Sequence, residues 1–230
     1  PTAANKVIVG LVDSGLDLDH ADLLGQLWIN ASEAAGQTCI DDDGNGYIDD
    51  INGWDFTDAP SLPGQGDYLE RDAYPQDESG HGSHVGGIIA AMVDNGIGIA
   101  GVSSGVELMA LRAGFNTSGG GYLEDDDIAA AIVYAVDNGA QIINMSFGDP
   151  QESVILRDVV RYAVEAGCML VAAAGNEGDD NVFYPARYNL TIAVAATGRD
   201  NRVLGFSNYG PSIDLAAPGV DIASLLPDNR

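Results

Sequence analysis

The sequence predicts an α/β protein with three layers, in which a doubly wound, mostly parallel sheet carries helices on both faces. Two observations lead to this prediction. Uninterrupted apolar runs, such as residues 7–12 (Val-Ile-Val-Gly-Leu-Val), are typical of strands that are buried on both faces. These runs alternate along the chain with helical segments, which is the order that builds parallel sheets. With 230 residues, 46% of them hydrophobic, the chain can bury a sizeable core, and we expect residues 1–230 to form a single domain.

The predicted strands are the buried apolar runs. They cover residues 7–12, 106–112, 141–147, 168–174, 190–196 and 213–217. Three helices are predicted between them: one that carries His81 and ends at about Met92, one from Asp125 to Asn138, and one from Val154 to Glu165. Three aspartates in the first turn of the second helix suit the positive end of its dipole, and the glycine after Asn138 ends it. Residues 53–79, which are rich in proline and glycine, are predicted to be a loop.

Charge and composition exclude some classes of partner. The formal net charge is −26, from 35 acidic and 9 basic residues. Nucleic-acid binding needs a basic surface, so we expect no nucleic-acid partner. No apolar run is long enough to span a membrane, so we expect no membrane partner either. The acidic balance suits a secreted protein that binds calcium. The sequence leaves open whether Cys39 and Cys168 form a disulfide.

Two of the three histidines lie in one glycine-rich stretch, residues 80–87 (Gly-His-Gly-Ser-His-Val-Gly-Gly). We interpret it as a loop that leads into a buried helix, whose N-terminus has unpaired N–H groups and a positive dipole. An imidazole held there can act as a general base near neutral pH. The strand at 7–12 ends at Asp13, where a carboxylate can orient that base. Asp13 and His81 therefore form half of a predicted hydrolytic triad.

Three motifs in this order resemble those of the subtilisin-like serine proteases. They are Val-Asp-Ser-Gly-Leu-Asp at 12–17, Gly-His-Gly-Ser-His-Val at 80–85 and Ala-Ala-Ala-Gly-Asn-Glu-Gly at 172–178. The resemblance implies the subtilisin-like fold. It also implies that Asp13 orients His81, that His81 takes a proton from a serine, and that Asn176 donates to the oxyanion.

The family's nucleophile motif, Gly-Thr-Ser-Met-Ala, does not occur in the sequence. Judged by the family's spacing from Ala217-Pro218-Gly219, the resemblance puts the serine beyond Arg230. We therefore expect a catalytic domain that is incomplete at its C-terminus and short at its N-terminus. The implied protein is a secreted, calcium-stabilised endopeptidase that cleaves polypeptides and is made with a removable pro-segment. This chain alone is expected to be inactive, with the remainder of its own catalytic domain as a further partner.

The resemblance also implies a substrate site in which a polypeptide binds as an extra strand. One edge of the site would be Ser118, Gly119 and Gly120, and the other edge would be Ser146, Phe147 and Gly148. The floor of the main specificity pocket would be Ala173, Ala174 and Gly175. Because this lining is small and uncharged, we expect apolar or aromatic substrate side chains to be accepted. The alternative for Phe147 is an ordinary core residue.

Residues 41–50 (Asp-Asp-Asp-Gly-Asn-Gly-Tyr-Ile-Asp-Asp) match the start of a calcium-binding loop. Oxygen ligands recur at alternate positions, and a glycine stands at the sixth position, where such loops turn sharply. The predicted ligands are the side chains of Asp41, Asp43 and Asn45, the carbonyl of Tyr47, and a carboxylate of Asp49 or Asp50. Asn52 stands at the twelfth position instead of the usual glutamate. The alternative is a solvated acidic turn, but so many like charges repel one another unless a cation neutralises them.

A second calcium loop is implied by the resemblance. Residues 96–101 (Gly-Ile-Gly-Ile-Ala-Gly) match a dinucleotide-binding fingerprint in form, but they follow a helix, which is the wrong context for that function. In the calcium interpretation the ligands are the side chains of Asp22 and Asn95 and the carbonyls of Val93, Ile97 and Ile99.

Two other functions compete with the protease. A zinc hydrolase could use His81, His84 and Asp13 as ligands, but the glutamate of the usual zinc motif is missing and Asn176 would have no role. A calcium-stabilised pseudoenzyme or binding module would explain why the chain has no matched nucleophile. Inhibition by a serine-directed phosphonate, without inhibition by a zinc chelator, distinguishes the protease from the zinc enzyme.

Overall fold

The computed structural model describes residues 6–229 of the chain. In chain order the elements are β1 (Val7–Asp13), α1 (Ala31–Ala35), β2 (Gly53–Asp55), β3 (Gly64–Gln65), α2 (His81–Ala90), β4 (Val106–Arg112), β5 (Gly114–Thr117), β6 (Gly120–Leu123), α3 (Asp125–Asp137), β7 (Ile142–Met145), α4 (Val154–Glu165), β8 (Met169–Ala173), β9 (Ile192–Thr197) and β10 (Leu215–Pro218). None of the described helices combines the length and the apolar composition that a membrane crossing requires.

Strand β1 lies in the middle of a seven-stranded sheet whose order is β10-β9-β8-β7-β1-β4-β2. All six neighbouring pairs are parallel. Strands β4 and β2 lie on one side of β1, and strands β7 to β10 lie on the other side. The strand order therefore reverses beside β1. Ligand sites of open parallel sheets lie at such a reversal, outside the carboxyl ends of the strands. The predicted α/β class is confirmed, and Asp13 ends the strand at this point.

Different helices cover the two faces of this sheet. On one face, α3 and α4 pack over Val12, Met109 and Ile143 in the larger core cluster. On the other face, α2 packs over Leu11 and Leu108, and Leu225 completes this smaller cluster. Burial of such apolar area contributes roughly 25 cal/mol per Å² to stability. The predicted arrangement, with helices on both faces of the sheet, is confirmed.

Part of the second face is open within the described residues. The pairing of β7, β8, β9 and β10 puts Met169 and Leu215 on the same face as Val9, which α2 covers farther along the sheet. Met169 is 51% exposed and Leu215 is 58% exposed. The helix layer on this face therefore covers β1 and β4 more completely than β8 and β10.

A smaller antiparallel sheet, of order β3-β5-β6, follows directly from β4. Strand β6 lies at its edge, so one side of β6 is unpaired within the described part of the chain. This edge lies near the carboxyl end of the main sheet, because β5 begins two residues after β4 ends at Arg112.

The predicted strands and helices agree with the structure to within two residues at each end. The prediction that residues 53–79 form a loop was wrong for β3, which pairs with β5, and for β2, which pairs with β4. This strand begins at Gly53, with φ of 129°, and a Cβ there would lie 1.8 Å from the carbonyl oxygen of Ala110. The sequence around β2 is polar and rich in glycine, so the hydrophobic pattern does not indicate this strand. Both cysteines carry free thiols, Cys39 being exposed and Cys168 buried.

Candidate active site

Asp13 and His81 meet at the carboxyl end of the main sheet. Asp13 is the last residue of β1, His81 is the first residue of α2, and the Oδ1 and Nδ1 atoms are 2.6 Å apart. The Asp13 side chain is 4% exposed, whereas that of His81 is 56% exposed. A carboxylate on Nδ1 keeps the proton on that nitrogen, which leaves Nε2 as the acceptor. The hydrogen bond to Asp13 raises the pKa of His81; burial opposes this shift, and the negative charges of Asp13 and Asp77 add to it.

Small residues allow α2 to approach β1 closely. A Cβ on Gly82 would lie 1.9 Å from the carbonyl oxygen of Gly15, so no larger residue fits there without a shift of the backbone. The N–H of Gly82 donates to Ser14 Oγ at 3.0 Å. Gly80, with φ of 93°, adopts the left-handed conformation immediately before the helix. The glycines around His81 thus position the imidazole against the Asp13 carboxylate.

Asp77 holds the N-terminus of α2, a role that sequence reasoning missed. Its Oδ1 atom accepts from the N–H groups of Ser79 and Gly80 at 2.9 and 2.8 Å, and its Oδ2 atom accepts from Ser83 N–H at 2.8 Å. A carboxylate just before a helix satisfies N–H groups that the helix leaves unpaired. The available signal was an aspartate four residues before His81, at the end of a loop.

Asn176 lies in the loop after β8, at the same carboxyl edge of the sheet, and is exposed. Sequence reasoning missed Asn208, a fully buried side chain that organises this loop. Asn208 Oδ1 accepts from the N–H groups of Glu177 and Gly178 at 2.8 and 3.0 Å, and Nδ2 donates to the carbonyl of Asn181 at 2.9 Å. These bonds fix the backbone beside Asn176.

A cavity of about 170 Å³ adjoins the candidate catalytic pair. Of the residues predicted to bind substrate, Ser146 and Phe147 line this cavity together with Asp13 and His81. Sequence reasoning missed the part of its lining that comes from strand β6, namely Gly121, Tyr122 and Leu123.

The other residues predicted to bind substrate lie outside this lining. Ser118 and Gly119 form the exposed turn between β5 and β6, and Gly120 is the first residue of β6. Gly148 lines a second, neighbouring cavity.

The predicted floor of the specificity pocket has an aromatic neighbour that sequence reasoning missed. Ala173 ends β8, Ala174 is buried, and Gly175 follows with φ of 107°. A Cβ on Gly175 would lie 2.9 Å from the ring of Phe183, and a Cβ on Gly148 would lie 3.0 Å from Phe183 Cβ. Phe183 therefore lies against both glycines, beside the predicted floor of the pocket.

The model of the subtilase family matches residues 4–229. The chain belongs to the subtilase family.

Individual relatives agree with this assignment. This subtilase is 38% identical over 222 residues to the thermophilic serine proteinase of Bacillus sp. (strain AK1), covering 96% of this chain and 46% of that protein. It is 34% identical over 219 residues to thermitase of Thermoactinomyces vulgaris, covering 95% and 65% of the two chains. It is 38% identical over 167 residues to subtilisin Savinase of Lederbergia lenta, covering 73% and 61%. This chain thus spans less than two thirds of the length of each of these relatives.

The acidic loop of this subtilase gathers three carboxylates. Oxygens of Glu33, Asp43 and Asp50 lie within 4.8 Å of one another, and Glu33 and Asp50 are buried. Burial, the largest influence, raises the pKa of Asp50. Among the described residues, none of the ion pairs involves these three carboxylates. Calcium–oxygen distances of about 2.4 Å place ligands on opposite sides of an ion about 5 Å apart, so the group fits one calcium ion.

The predicted ligands of this loop have different roles in the structure. Asp41 closes the turn, since its carboxylate accepts from the N–H groups of Gly44 and Gly46 at 2.6 and 2.9 Å. The Asp49 carboxylate accepts from Cys39 N–H at 2.8 Å, so of the two alternatives it is Asp50 that joins the cluster.

Asn45 and Tyr47 take up the middle of this loop. Asn45 Nδ2 donates to Asp50 Oδ2 at 2.9 Å, and the Tyr47 ring packs edge-on against Tyr134. Sequence reasoning missed Glu33, which comes from helix α1 outside the loop. Asn52 occupies the position where a calcium loop usually carries its glutamate. This substitution indicated that a carboxylate from outside the loop could complete the site.

The second predicted calcium loop is also brought together, around a single carboxylate. Asp22 is fully buried, its Oδ1 accepts from Asn95 Nδ2 at 2.6 Å, and its Oδ2 accepts from Ile99 N–H at 2.9 Å. Asn95 Oδ1 accepts from Ile97 N–H at 3.2 Å. The chain around exposed Val93 turns towards Asp22 through these N–H donors. Among the described residues, no group of three converging carboxylates includes Asp22, whereas the acidic loop gathers three, so this loop fits a cation less well.

The two neighbouring histidines have separate partners. His81 binds Asp13 through Nδ1, whereas His84 Nε2 lies 3.2 Å from the carbonyl oxygen of Ile222. Within the described part of the chain, no group of three converging ligand atoms includes either histidine. The arrangement does not favour the alternative of a zinc site built on His81, His84 and Asp13.

Proposed function

We propose that this chain supplies the acid, the base and the oxyanion donor of a secreted serine endopeptidase. The observation that carries the proposal is the 2.6 Å contact between His81 Nδ1 and the buried Asp13 carboxylate, at the carboxyl edge of the sheet and beside a cavity. Membership of the subtilase family supports it. The substrates are polypeptides, and we propose that the protein is exported and made with a pro-segment.

The proposed mechanism uses each residue for one step. His81 Nε2 takes the proton of a serine hydroxyl as the serine oxygen attacks the peptide carbonyl, and Asp13 stabilises the resulting imidazolium. Asn176 donates its side-chain amide to the oxyanion that forms on the carbonyl oxygen. His81 then returns the proton to the leaving amine, and water hydrolyses the acyl-enzyme by the same route.

The serine of this proposal lies outside the 230 residues, as the family resemblance implies. Among the described residues, no serine hydroxyl forms a hydrogen bond with His81. This chain alone is therefore proposed to be inactive, and its partner would be the remainder of its own catalytic domain.

We also propose that calcium stabilises the fold. Glu33, Asp43 and Asp50 would hold one ion, and Asn45 would support the site through its contact with Asp50. A bound calcium would neutralise carboxylates that otherwise repel one another. The loop that includes Asp22 and Asn95 stays a weaker candidate for a second ion.

Labelling of the whole gene product with a fluorophosphonate tests the catalytic proposal. We expect the label on a serine outside residues 1–230, hydrolysis of peptides, and no inhibition by phenanthroline, which binds zinc but spares calcium. Asp13→Asn should lower kcat/KM by roughly 10⁴-fold, while the exposed control Asp200→Asn should not change it. A protein that takes up no label and cleaves no peptide would be the binding module of the alternative interpretation, and inhibition by phenanthroline would favour the zinc enzyme.

A further inference from the structure

A second cavity, of about 600 Å³, opens beside the candidate active site. The two cavities share Gly121, Tyr122, Leu123 and Phe147 in their linings. A polypeptide chain that occupies the cleft next to His81 and follows the free edge of β6 therefore passes the mouth of this larger cavity. Alternate side chains of an extended peptide point to the same side, so one of them can enter it.

The charge in this cavity has one sign. Five of its fifteen lining residues are acidic and none is basic; the acidic ones are Glu124, Asp125, Asp126, Asp149 and Glu152. Two arginines outside the lining reach two of them. Arg157 Nη1 lies 3.2 Å from Glu152, and Arg71 Nη2 lies 4.0 Å from Asp126.

Three carboxylates in this cavity have no basic partner within ion-pair distance in the described part of the chain. They are those of Glu124, Asp125 and Asp149. Burial is the main influence that raises the pKa of Glu124; the negative charges of Asp126 and Asp58 add to this shift, and Arg71 opposes it.

The shape of the cavity suits a long cationic side chain better than a metal ion. Among the described residues, only one of the cavity's five acids, Glu124, belongs to a group of three carboxylates that converge closely enough for a metal. The others are distributed around a wall that also includes Ile128 and Leu156, both almost fully buried. Lysine and arginine carry an apolar stem that packs on such side chains and a charged end that reaches carboxylates.

We propose that this cavity is a specificity pocket for an arginine or lysine side chain of the polypeptide substrate. The proposal rests on the proposed function, because the pocket is useful only if a polypeptide lies in the adjoining cleft. Glu124 and Asp125, at the start of α3, are its principal recognition residues. The preference that it confers adds to whatever the pocket beside Phe183 accepts.

Binding measurements test this pocket independently of catalysis. The probes are hexapeptides that carry a single arginine at one position among uncharged residues. Each is paired with the same peptide in which citrulline, which is uncharged and nearly the same size, replaces the arginine. We expect arginine to bind about fivefold more tightly than citrulline at one position, the gain of a partly exposed ion pair. The double variant Glu124→Gln/Asp125→Asn should reduce that gain to less than about twofold.

The control variant is Asp200→Asn, which removes one exposed charge far along the chain, in the turn after β9. This variant should still bind the arginine peptide more tightly than the citrulline peptide, a difference called the arginine gain. Its persistence separates local recognition from attraction to the overall negative charge. Equal affinity for arginine and citrulline at every position, absence of binding by both series, or a gain that persists in the double variant would overturn the proposal. Peptide cleavage without an arginine gain would reject the pocket alone, whereas an arginine gain in a gene product that never cleaves peptides would reject the proposed function alone.

Discussion

At the scale of single residues, the candidate site depends on which nitrogen of His81 carries the proton. Asp13 accepts a hydrogen bond from Nδ1 and is itself buried, so its charge favours the imidazolium form. The folded-state pKa of His81 is raised above its ordinary value of about 6.5. The pair therefore contributes stability that is fully present below pH of about 6.5 and is lost as the pH rises through the folded-state pKa.

Substitution of Asp13 should reverse this shift. In Asp13→Asn the amide carries no charge, so we expect the pKa of His81 to fall towards the value of an unperturbed histidine. NMR titration of the imidazole C–H signals measures this directly, and the chain has just two other histidines, His20 and His84, to serve as internal references. A pKa of His81 that is unchanged in the variant would contradict the role assigned to Asp13.

Residue-level prediction from the sequence succeeded where a motif states both residue type and context. The strand end at Asp13 and the glycines around His81 are such cases. Asn208 and Phe183 could not be predicted in this way, because they act on the loop of Asn176 and on Gly175 from distant positions in the chain. Their roles depend on tertiary contacts that no local pattern encodes.

At the scale of elements, the acidic loop and the short helix α1 form one unit. The loop supplies Asp43 and Asp50, and α1 supplies Glu33, whose carboxylate also accepts from the N–H groups of Asp42 and Asp49 at 2.7 and 2.9 Å. Glu33 thus holds the loop backbone and faces the same point as the loop carboxylates. The sequence predicted the loop from its spacing, but a ligand from a separate element lies outside any such spacing.

Removal of the Glu33 charge should weaken the response to calcium. Binding to the folded state alone stabilises it by about 4 kcal/mol when calcium is in thousandfold excess over Kd. We expect calcium to raise the Tm of the wild-type chain, and Glu33→Gln to lose most of this rise. Thermal unfolding with calcium and with chelator measures it, with Glu165→Gln, at the exposed end of α4, as the matched control. Equal calcium responses of the two variants would argue against this site.

Strands were located correctly from the sequence where both of their faces are buried. Strands β1 and β4 form continuous apolar runs because helices cover both of their faces, and the pattern located them correctly. Strand β2 has three residues, one of which is the glycine that accommodates Ala110. A strand so short carries too few apolar residues for a period to be recognised, and its position was decided by pairing with β4.

At the scale of the whole molecule, the chain contains 35 acidic residues and only 9 basic ones. So large an excess of one sign opposes the compact state through repulsion among the surface charges. Salt shortens the range of this repulsion, from about 10 Å at 0.1 M to about 3 Å at 1 M. The many exposed carboxylates should therefore make stability depend on ionic strength.

We expect the Tm to rise as sodium chloride is added at saturating calcium. For a chain of this length, each kcal/mol gained corresponds to roughly 3 °C. Calorimetry of the wild-type chain measures the effect, and the same series with Glu33→Gln shows how much of it passes through the calcium site. A Tm that falls steadily with salt would mean that attractive ion pairs, such as Arg71 with Asp127 at 2.8 Å, outweigh the repulsion.

The contact of Leu225 with the cluster under α2 has a consequence for biosynthesis. Leu11 and Leu108 leave the ribosome long before Leu225, yet all three belong to the same cluster. At 5–20 residues per second, synthesis from Ala90, the end of α2, to Leu225 takes about seven to twenty-seven seconds. During that time the nascent helix with the two histidines lacks its last apolar neighbour, so a chaperone has a long window in which to hold the chain unfolded.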